Sequence, residues 1–504
     1  MIGIDSSSRA WVAVALVILA TALLRIHLIG SPLERDEGEY AYSGQLMLQG
    51  IPPYQLACNM KLPGTYAAYA LIMAAFGQTV TAIHAGLLLV NAGAIVLIFL
   101  LGRRLFSVPA GLAACSAYAL LSVGEGVLGT QAHATHFVVL AALAGLWLLL
   151  RHLESGRLWT LFASGVLFGI AYLMKQHGIF FGVFAAVYLV GLRQWKKAPL
   201  FLAGAALPFG VTCLLLWRAG VFARFWFWTF TYASRYVSEN SFRDGASALA
   251  DTFGPILYQS AALWGLAAVG LAIALGVRQF FVPVLLLFSF AAVGPGLYFR
   301  AHYFVLILPA VALLAGSRVN GRLSAGIFAA ALVVSLITQR EFLFRMTPAE
   351  ISQELYDQDP FNAAIPVAAY IHDRTRPEET IAVLGSEPEI YFYARRHSAT
   401  SFLYTEPMVE PQPFAQTMQN DMIAELERNN PAYVVRFPIA ETLSLGAPMP
   451  AHIFEWWADY GPKHYRLVGI ADIHEDGHVE YRWDAAAALY HPWSLYRLEV
   501  YRRN

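Results

Sequence analysis

"AGLLLVNAGAIVLIFLLGRR", residues 85–104, runs eighteen residues without a charge and then sets two arginines side by side. As a helix such a run spans roughly 27 Å, close to the hydrocarbon thickness of a bilayer. The arginine pair marks a short basic link of the kind that holds a span's end in the cytoplasm. Working outward, comparable stretches recur from about residue 10, beginning with "AWVAVALVILATALL", to about residue 338. Eleven spans are expected, near residues 10–29, 80–101, 108–124, 134–150, 158–174, 178–193, 199–217, 256–276, 280–298, 303–316 and 323–338. The chain is 58% hydrophobic and only 13% charged, about half the charge of a soluble domain. A wholly soluble protein is thereby excluded. The expected fold is an α-helical polytopic membrane protein over residues 1–339, followed by a soluble α/β domain over residues 340–504.

Net charge is zero, but it is divided. Residues 340–504 hold 14 Lys and Arg against 24 Asp and Glu, whereas residues 1–339 hold 20 against 10. The links "GRRLF", "RHLESGR", "RQWKK", "VRQ" and "SRVNGR" are short and basic, so they are expected inside, with the N-terminus. The first helix lacks a cleavage site before "RIHLIG" and is expected to stay uncleaved. This predicts a multi-pass protein of the plasma (inner) membrane with its C-terminal domain extracytoplasmic. Arg35, Lys61, Lys175, Arg218, Arg224, Arg235, Arg243 and Arg300 then fall on the outer face. Orientation does not explain them there, whereas an outward site for a phosphate does; some could equally snorkel. Cys58, Cys115 and Cys213 are too scattered for a disulfide framework or a metal motif.

In the polar third, "TIAVLG", "PAYVVRF", "YRLVGIAD", "VEYRWDAA" and "WSLYRLEVYRR" are expected strands, with "EDGH" as a turn. "MIAELERNN" is an expected helix ending on Asn, and "SEPEIYFYA" one capped by Ser386 with Glu389.

The chemistry is expected in the first outward loop, residues 30–79. Its stretch "ERDEGEYAY", residues 34–42, carries Glu34, Asp36, Glu37 and Glu39, four of only ten acids in the first 339 residues. Asp36 with Glu39 reads as a helix-starting box for a helix running to Gly50, before "IPPY" stops it. A cap alone does not need Glu34 or Glu37. An ionised carboxylate at a membrane surface, facing cations, suits a general base acting on an acceptor hydroxyl while the cations hold a departing phosphate.

These residues resemble the GT-C glycosyltransferases, nearest the protein O-mannosyltransferase and lipid A aminoarabinose-transferase group. The resemblance rests on Asp36, Glu37, Tyr40 and Ala41, then "KLPGTYAAY" with Lys61 and Pro63. "LMKQHG", "RAHYFVLILPAVALLAG" and "VLGSEPEIYFYARR" are similar to later segments. It implies a polyprenyl-phosphate-sugar donor, inversion at the anomeric carbon, and Asp36 as the base or as the group that orients the acceptor, with Glu37 and Glu39 beside it. Tyr40, Lys61, Lys175, Gln176, Arg300, His302 and Tyr303 become candidates for gripping phosphate or sugar. Where the aminoarabinose transferases place an acid before the lysine of this element, the chain has Met60. No cofactor is implied with certainty, and a divalent metal ion stays open. Glu125, His133 and His136 form a possible divalent-metal set, though paired histidines at a helix start are more often hydrogen-bonders.

The expected partners are the lipid-linked donor, membrane lipid, and a glycan, lipid or protein acceptor, with no nucleic acid. A lipid-linked-sugar flippase using the same basic face is the alternative. It should show internal repeats with broken helices near the midplane, and no convincing repeat is visible. A sensor with an outer ligand-binding domain is a third reading, for which the sequence offers no inward output domain.

Overall fold

Inside hydrocarbon no backbone N–H or C=O can be left unpaired, so long apolar runs become helices. The computed structural model describes residues 6–238, 240–438 and 452–504. Its first helices are α1 (Ser6–Ile26), α2 (Arg35–Leu48) and α3 (Gly64–Phe76). Next come α4 (Val80–Leu105), α5 (Val108–Leu121) and α6 (Ala134–Ser155). They are followed by α7 (Leu158–Met174), α8 (Ile179–Gly191) and α9 (Ala198–Arg218).

Among the described residues four helices are long and apolar enough to cross a membrane, or five if one bent pair counts as a span, beside six shorter apolar helices. Two expected spans differ in form. The one placed at 256–276 breaks at Ser260, where Phe242–Gln259 and Ala261–Gly276 meet at 98°. The one placed at 303–316 opens as a tight 3-10 turn, Ala301–Leu306, before the helix Leu308–Gly316 with Pro309 in its first turn. Composition reports how apolar a stretch is but is blind to such breaks, because a bent helix and a straight one need the same side chains.

The five expected strands are present as β1 (Ile381–Leu384), β2 (Tyr433–Arg436), β3 (Tyr465–Ile473), β4 (Val479–Trp483) and β5 (Arg497–Arg503). They form one sheet in the order β1-β2-β5-β3-β4. β1 and β2 run parallel with Ile381 opposite Tyr433, and the other pairs are antiparallel. The helix Ala415–Asn429 ends on Asn430 in the left-handed conformation, as its sequence predicts. Ser386 does not cap the next helix. That helix, Glu389–Ala394, starts after Pro388 without a side-chain cap, and the Ser386 N–H instead donates to Glu387.

The sheet region is docked directly on α2. Tyr42 stacks on Tyr391 with ring centroids 5.1 Å apart and accepts a hydrogen bond from the Ser398 N–H at 2.7 Å. The Leu33 N–H donates to the Tyr393 hydroxyl at 2.8 Å. Gly38 makes this contact possible, since a Cβ there would lie 2.6 Å from the Glu389 backbone nitrogen. One face of α2 is therefore held by the sheet region and another is left to line a cavity.

Candidate active site

The start of α2 decides what each acid does. Glu34, not Asp36, is the N-cap: its carboxylate accepts from the backbone N–H groups of Asp36 at 2.9 Å and Glu37 at 2.8 Å. Asp36 is thus relieved of the capping role and turns into a cavity. Glu37 turns away from it. Its buried carboxylate contacts His84 Nε2 at 3.0 Å and accepts from the Ala132 N–H at 2.5 Å, while His84 Nδ1 lies 3.0 Å from the Ile29 carbonyl. Glu37 therefore ties the loop before α6 to α2 and lines no part of the cavity. Glu39, fully buried, is the acceptor at the centre of a cluster. Asn59 donates to it at 2.6 Å, Lys61 at 2.7 Å, Tyr404 at 2.6 Å, and Tyr66 donates as well.

Lys61 bridges the two acids, 2.5 Å from Asp36 and 2.7 Å from Glu39. Its loop reaches this position because α3 begins tightly against the end of α7. The Thr65 hydroxyl donates to the Met174 carbonyl at 2.7 Å, and a Cβ on Gly64 would sit 2.4 Å from the Leu173 carbonyl oxygen. That close approach also brings the residue after α7, Lys175, to the same cavity. The Lys175 ammonium lies 4.5 Å from the centre of the Tyr303 ring. Gln176 donates to the Met60 carbonyl at 2.8 Å, joining the two lysine-bearing loops.

The cavity holds about 700 Å³ between the helices and the sheet region. Asp36, Tyr40, Lys61, Lys175, Gln176, Arg300, His302 and Tyr303 all line it, so eight sequence candidates meet in one place. Arg35 lines it too, held by the Ser386 carbonyl at 2.9 Å. Arg218, Arg224, Arg235 and Arg243 do not line it, and Arg224 donates to the Gln55 carbonyl instead. From the aromatic run 225–232, Phe230 and Tyr232 contribute to the wall.

Charge within the cavity is arranged by burial and pairing. Burial favours a neutral Asp36, but the Lys61 ammonium outweighs it and, with Lys175 nearby, holds the Asp36 carboxyl well below the usual range. Burial works against the Lys61 charge as well, yet Asp36 and Glu39 overcome it and raise that group. Among the described residues Lys175 has no such pair. Burial lowers its ammonium to about 8, with Asp36 opposing the shift and Lys61 and Arg300 adding to it. Burial also lowers His133 to about 4 and His302 well below the usual imidazole range. These two rings are stacked with centroids 4.1 Å apart, and among the described residues neither ring nitrogen of His133 nor Nε2 of His302 has a hydrogen-bond partner.

Glu125, His133 and His136 are not brought together as a metal set. Glu125 accepts from Gln259, and neither it nor His136 lines the cavity. The grouping that could hold a divalent ion is Asp36, His133 and His302, whose ligand atoms lie within 4.8 Å of one another. A cation there would have to displace or tolerate Lys61, already 2.5 Å from Asp36.

Several cavity residues lie in segments in which sequence reading found no site. Tyr356, Asp359, Phe361, Tyr404 and Glu406 come from the chain beyond residue 340. Their only signal was general, a polar region after the last span. Asn59 and Tyr66 flank the lysine but carry no motif of their own.

A family model described as dolichyl-phosphate-mannose-protein mannosyltransferase matches residues 61–217. No curated protein sequence matches the chain. Among solved structures, ArnT from Cupriavidus metallidurans bound to undecaprenyl phosphate is similar over 99% of this chain and 98% of its own, with TM-score 0.64 and 15% identity. The archaeal oligosaccharyltransferase AglB from Archaeoglobus fulgidus is similar over 97% of this chain and 75% of its own, with TM-score 0.51 and 13% identity. Mycobacterial arabinofuranosyltransferase AftD is similar over 99% of this chain and 40% of its own, with TM-score 0.54 and 13% identity. At 13–15% identity these likenesses show that the chain shares the fold of these membrane glycosyltransferases, and the mannosyltransferase family model covers its "KLPGTYAAY" segment onward to the end of α9.

Proposed function

We propose that the protein is an inverting glycosyltransferase that moves a sugar from a polyprenyl-phosphate donor to an acceptor hydroxyl or amine. The reaction takes place on the extracytoplasmic side of the plasma membrane, with residues 340–504 as an outer domain covering the site. The observation that carries this reading is the bracketing of Lys61 by Asp36 and Glu39 at the edge of a cavity that also holds Lys175 and Arg300.

Three cationic side chains suit the phosphate of the donor, which gains charge as the anomeric bond breaks. Lys61 is the group that changes partner: as it turns to the phosphate, its hold on Asp36 weakens and the Asp36 carboxylate becomes more basic. Asp36 then takes the acceptor proton as the acceptor oxygen or nitrogen bonds to the anomeric carbon from the face opposite the phosphate. The C–O bond to phosphate breaks with its electron pair leaving on the phosphate, giving inverted product and polyprenyl phosphate. Glu39 keeps Lys61 charged throughout. Binding of undecaprenyl phosphate by the similar ArnT supports the donor class.

The test is release of polyprenyl phosphate from a panel of labelled polyprenyl-phosphate sugars by purified protein, comparing the wild type with Asp36→Asn. Loss of roughly 10²–10⁴-fold in turnover with donor binding retained is expected. Equal turnover by the folded variant overturns the role of Asp36. Donor binding with no release by the wild type, across donors and acceptors, moves the assignment to transport.

A further inference from the structure

α6 and α7 form a hairpin with chemistry at both ends. One end presents His133 and Lys175 to the catalytic cavity. The other lies roughly 33 Å away along the 22 residues of α6, about a hydrocarbon thickness. There a second cavity of about 520 Å³ is lined by Trp147, Arg151, Glu154, Arg157, Trp159 and Thr160, among others.

Its charges are unevenly paired. Among the described residues Glu154 is the only acid lining it. That carboxylate is occupied by Arg104 at 2.7 Å, whose guanidinium also donates to the Leu150 carbonyl and lies 5.5 Å from the Trp147 ring centre. Arg151 rests 5.9 Å from the same ring. Among the described residues neither Arg151 nor Arg157 has a carboxylate within ion-pair distance. Trp159, 62% exposed, stands at the rim. An orientation signal needs basic residues near a span's end and nothing more. It does not need a cavity, an acid already neutralised by a third arginine, or two indoles bordering it.

We propose that this cavity binds the phosphodiester headgroup of an anionic phospholipid in the leaflet opposite the catalytic cavity. The forked donors of Arg151 and Arg157 suit phosphate oxygens, and Trp147 and Trp159 suit the level where acyl chains meet headgroups. Arg104 removes the one carboxylate that would repel the ligand. This site is independent of the transfer reaction.

Purified protein in neutral detergent is titrated with phosphatidylglycerol, with phosphatidylcholine in parallel, and bound lipid is counted by native mass spectrometry. With each basic residue worth about fivefold at an anionic lipid surface, Arg151→Gln with Arg157→Gln is expected to weaken phosphatidylglycerol binding roughly thirtyfold. Arg157→Gln alone serves should the double variant fold poorly. Arg278→Gln, an exposed basic residue of another link, is expected to leave binding unchanged. Glycerol phosphate at the same concentration is expected not to compete, because it lacks the chains that hold the headgroup at this depth. Equal binding by the double variant, equal loss in Arg278→Gln, equal retention of phosphatidylcholine, or full competition by glycerol phosphate each overturns the proposal.

Discussion

The Lys61 ammonium lies 2.5 Å from Asp36 and 2.7 Å from Glu39, so one cation is shared by a carboxylate facing the cavity and one sealed behind it. Glu39 is fully buried and cannot be left without its cation at little cost, because a buried carboxylate that loses its partner keeps the desolvation penalty. Asp36 is partly open and can be.

Lys61→Met is therefore expected to damage folding and function together. Stripping the cation from buried Glu39 is expected to cost roughly 3–5 kcal/mol, read as a lower thermal midpoint in detergent. Combining it with Glu39→Gln should restore much of that stability while donor binding stays lost. A double variant as unstable as Lys61→Met would show that the pair does not carry this cost.

Donor binding should depend on pH through Lys175. Its ammonium, lowered to about 8 by burial, is charged below that pH and neutral above it. A cation that holds phosphate must be charged, so affinity for undecaprenyl phosphate is expected to be full below pH 8 and to fall by up to tenfold per unit above it. Lys175→Arg should remove this alkaline loss, since guanidinium stays charged. Titration of binding from pH 6.5 to 9.5 checks both, and an identical decline in the two proteins would assign the limb elsewhere.

Tyr404 reaches Glu39 from beyond residue 340, with its hydroxyl 2.6 Å from the carboxylate. Tyr404→Phe removes one donor from a satisfied cluster, a loss of about 1.5–3 kcal/mol for a bond to a charged group. Turnover is expected to fall more than tenfold, with donor affinity changed less, because in the proposed reaction Lys61 rather than Tyr404 meets the phosphate. Calorimetric binding beside steady-state rates separates these effects.

Gly38→Ala tests how the sheet region sits on α2. The new Cβ would meet the Glu389 backbone nitrogen at 2.6 Å, and backbone cannot move aside as a side-chain tip does. Overpacking of about 1–3 kcal/mol is expected, borne by the contact between the two regions. Faster cleavage by protease between residues 340 and 360, with the helical signal retained, is the expected readout.

Much of this was legible in the chain. The run at 85–104 and its repeats declared helices in an apolar body, and all five strands stood in their alternating β-branched and aromatic segments. Arg35, Lys61, Lys175 and Arg300, scattered over some 265 residues, were flagged by one physical anomaly: basic residues on the face where orientation disfavours them. The structure brings all four to the wall of one cavity. The same anomaly also flagged Arg218, Arg224, Arg235 and Arg243, which are exposed and do not line the cavity, since charge counting carries no direction.

Local pattern alone determined which segments are helix or strand and that "ERDEGEYAY" is a place of concentrated acid, because periodicity and composition act within a few residues. Tertiary structure decided what each acid does. Moving the cap from Asp36 to Glu34 moves the helix start, and each residue then takes its turn of about 100° around the axis. Asp36 comes to face the cavity, Glu37 meets His84, and Glu39 meets Lys61, Tyr66 and Tyr404. Those partners lie between 22 and 365 residues away, a distance over which only packing, not local propensity, can bring groups into contact.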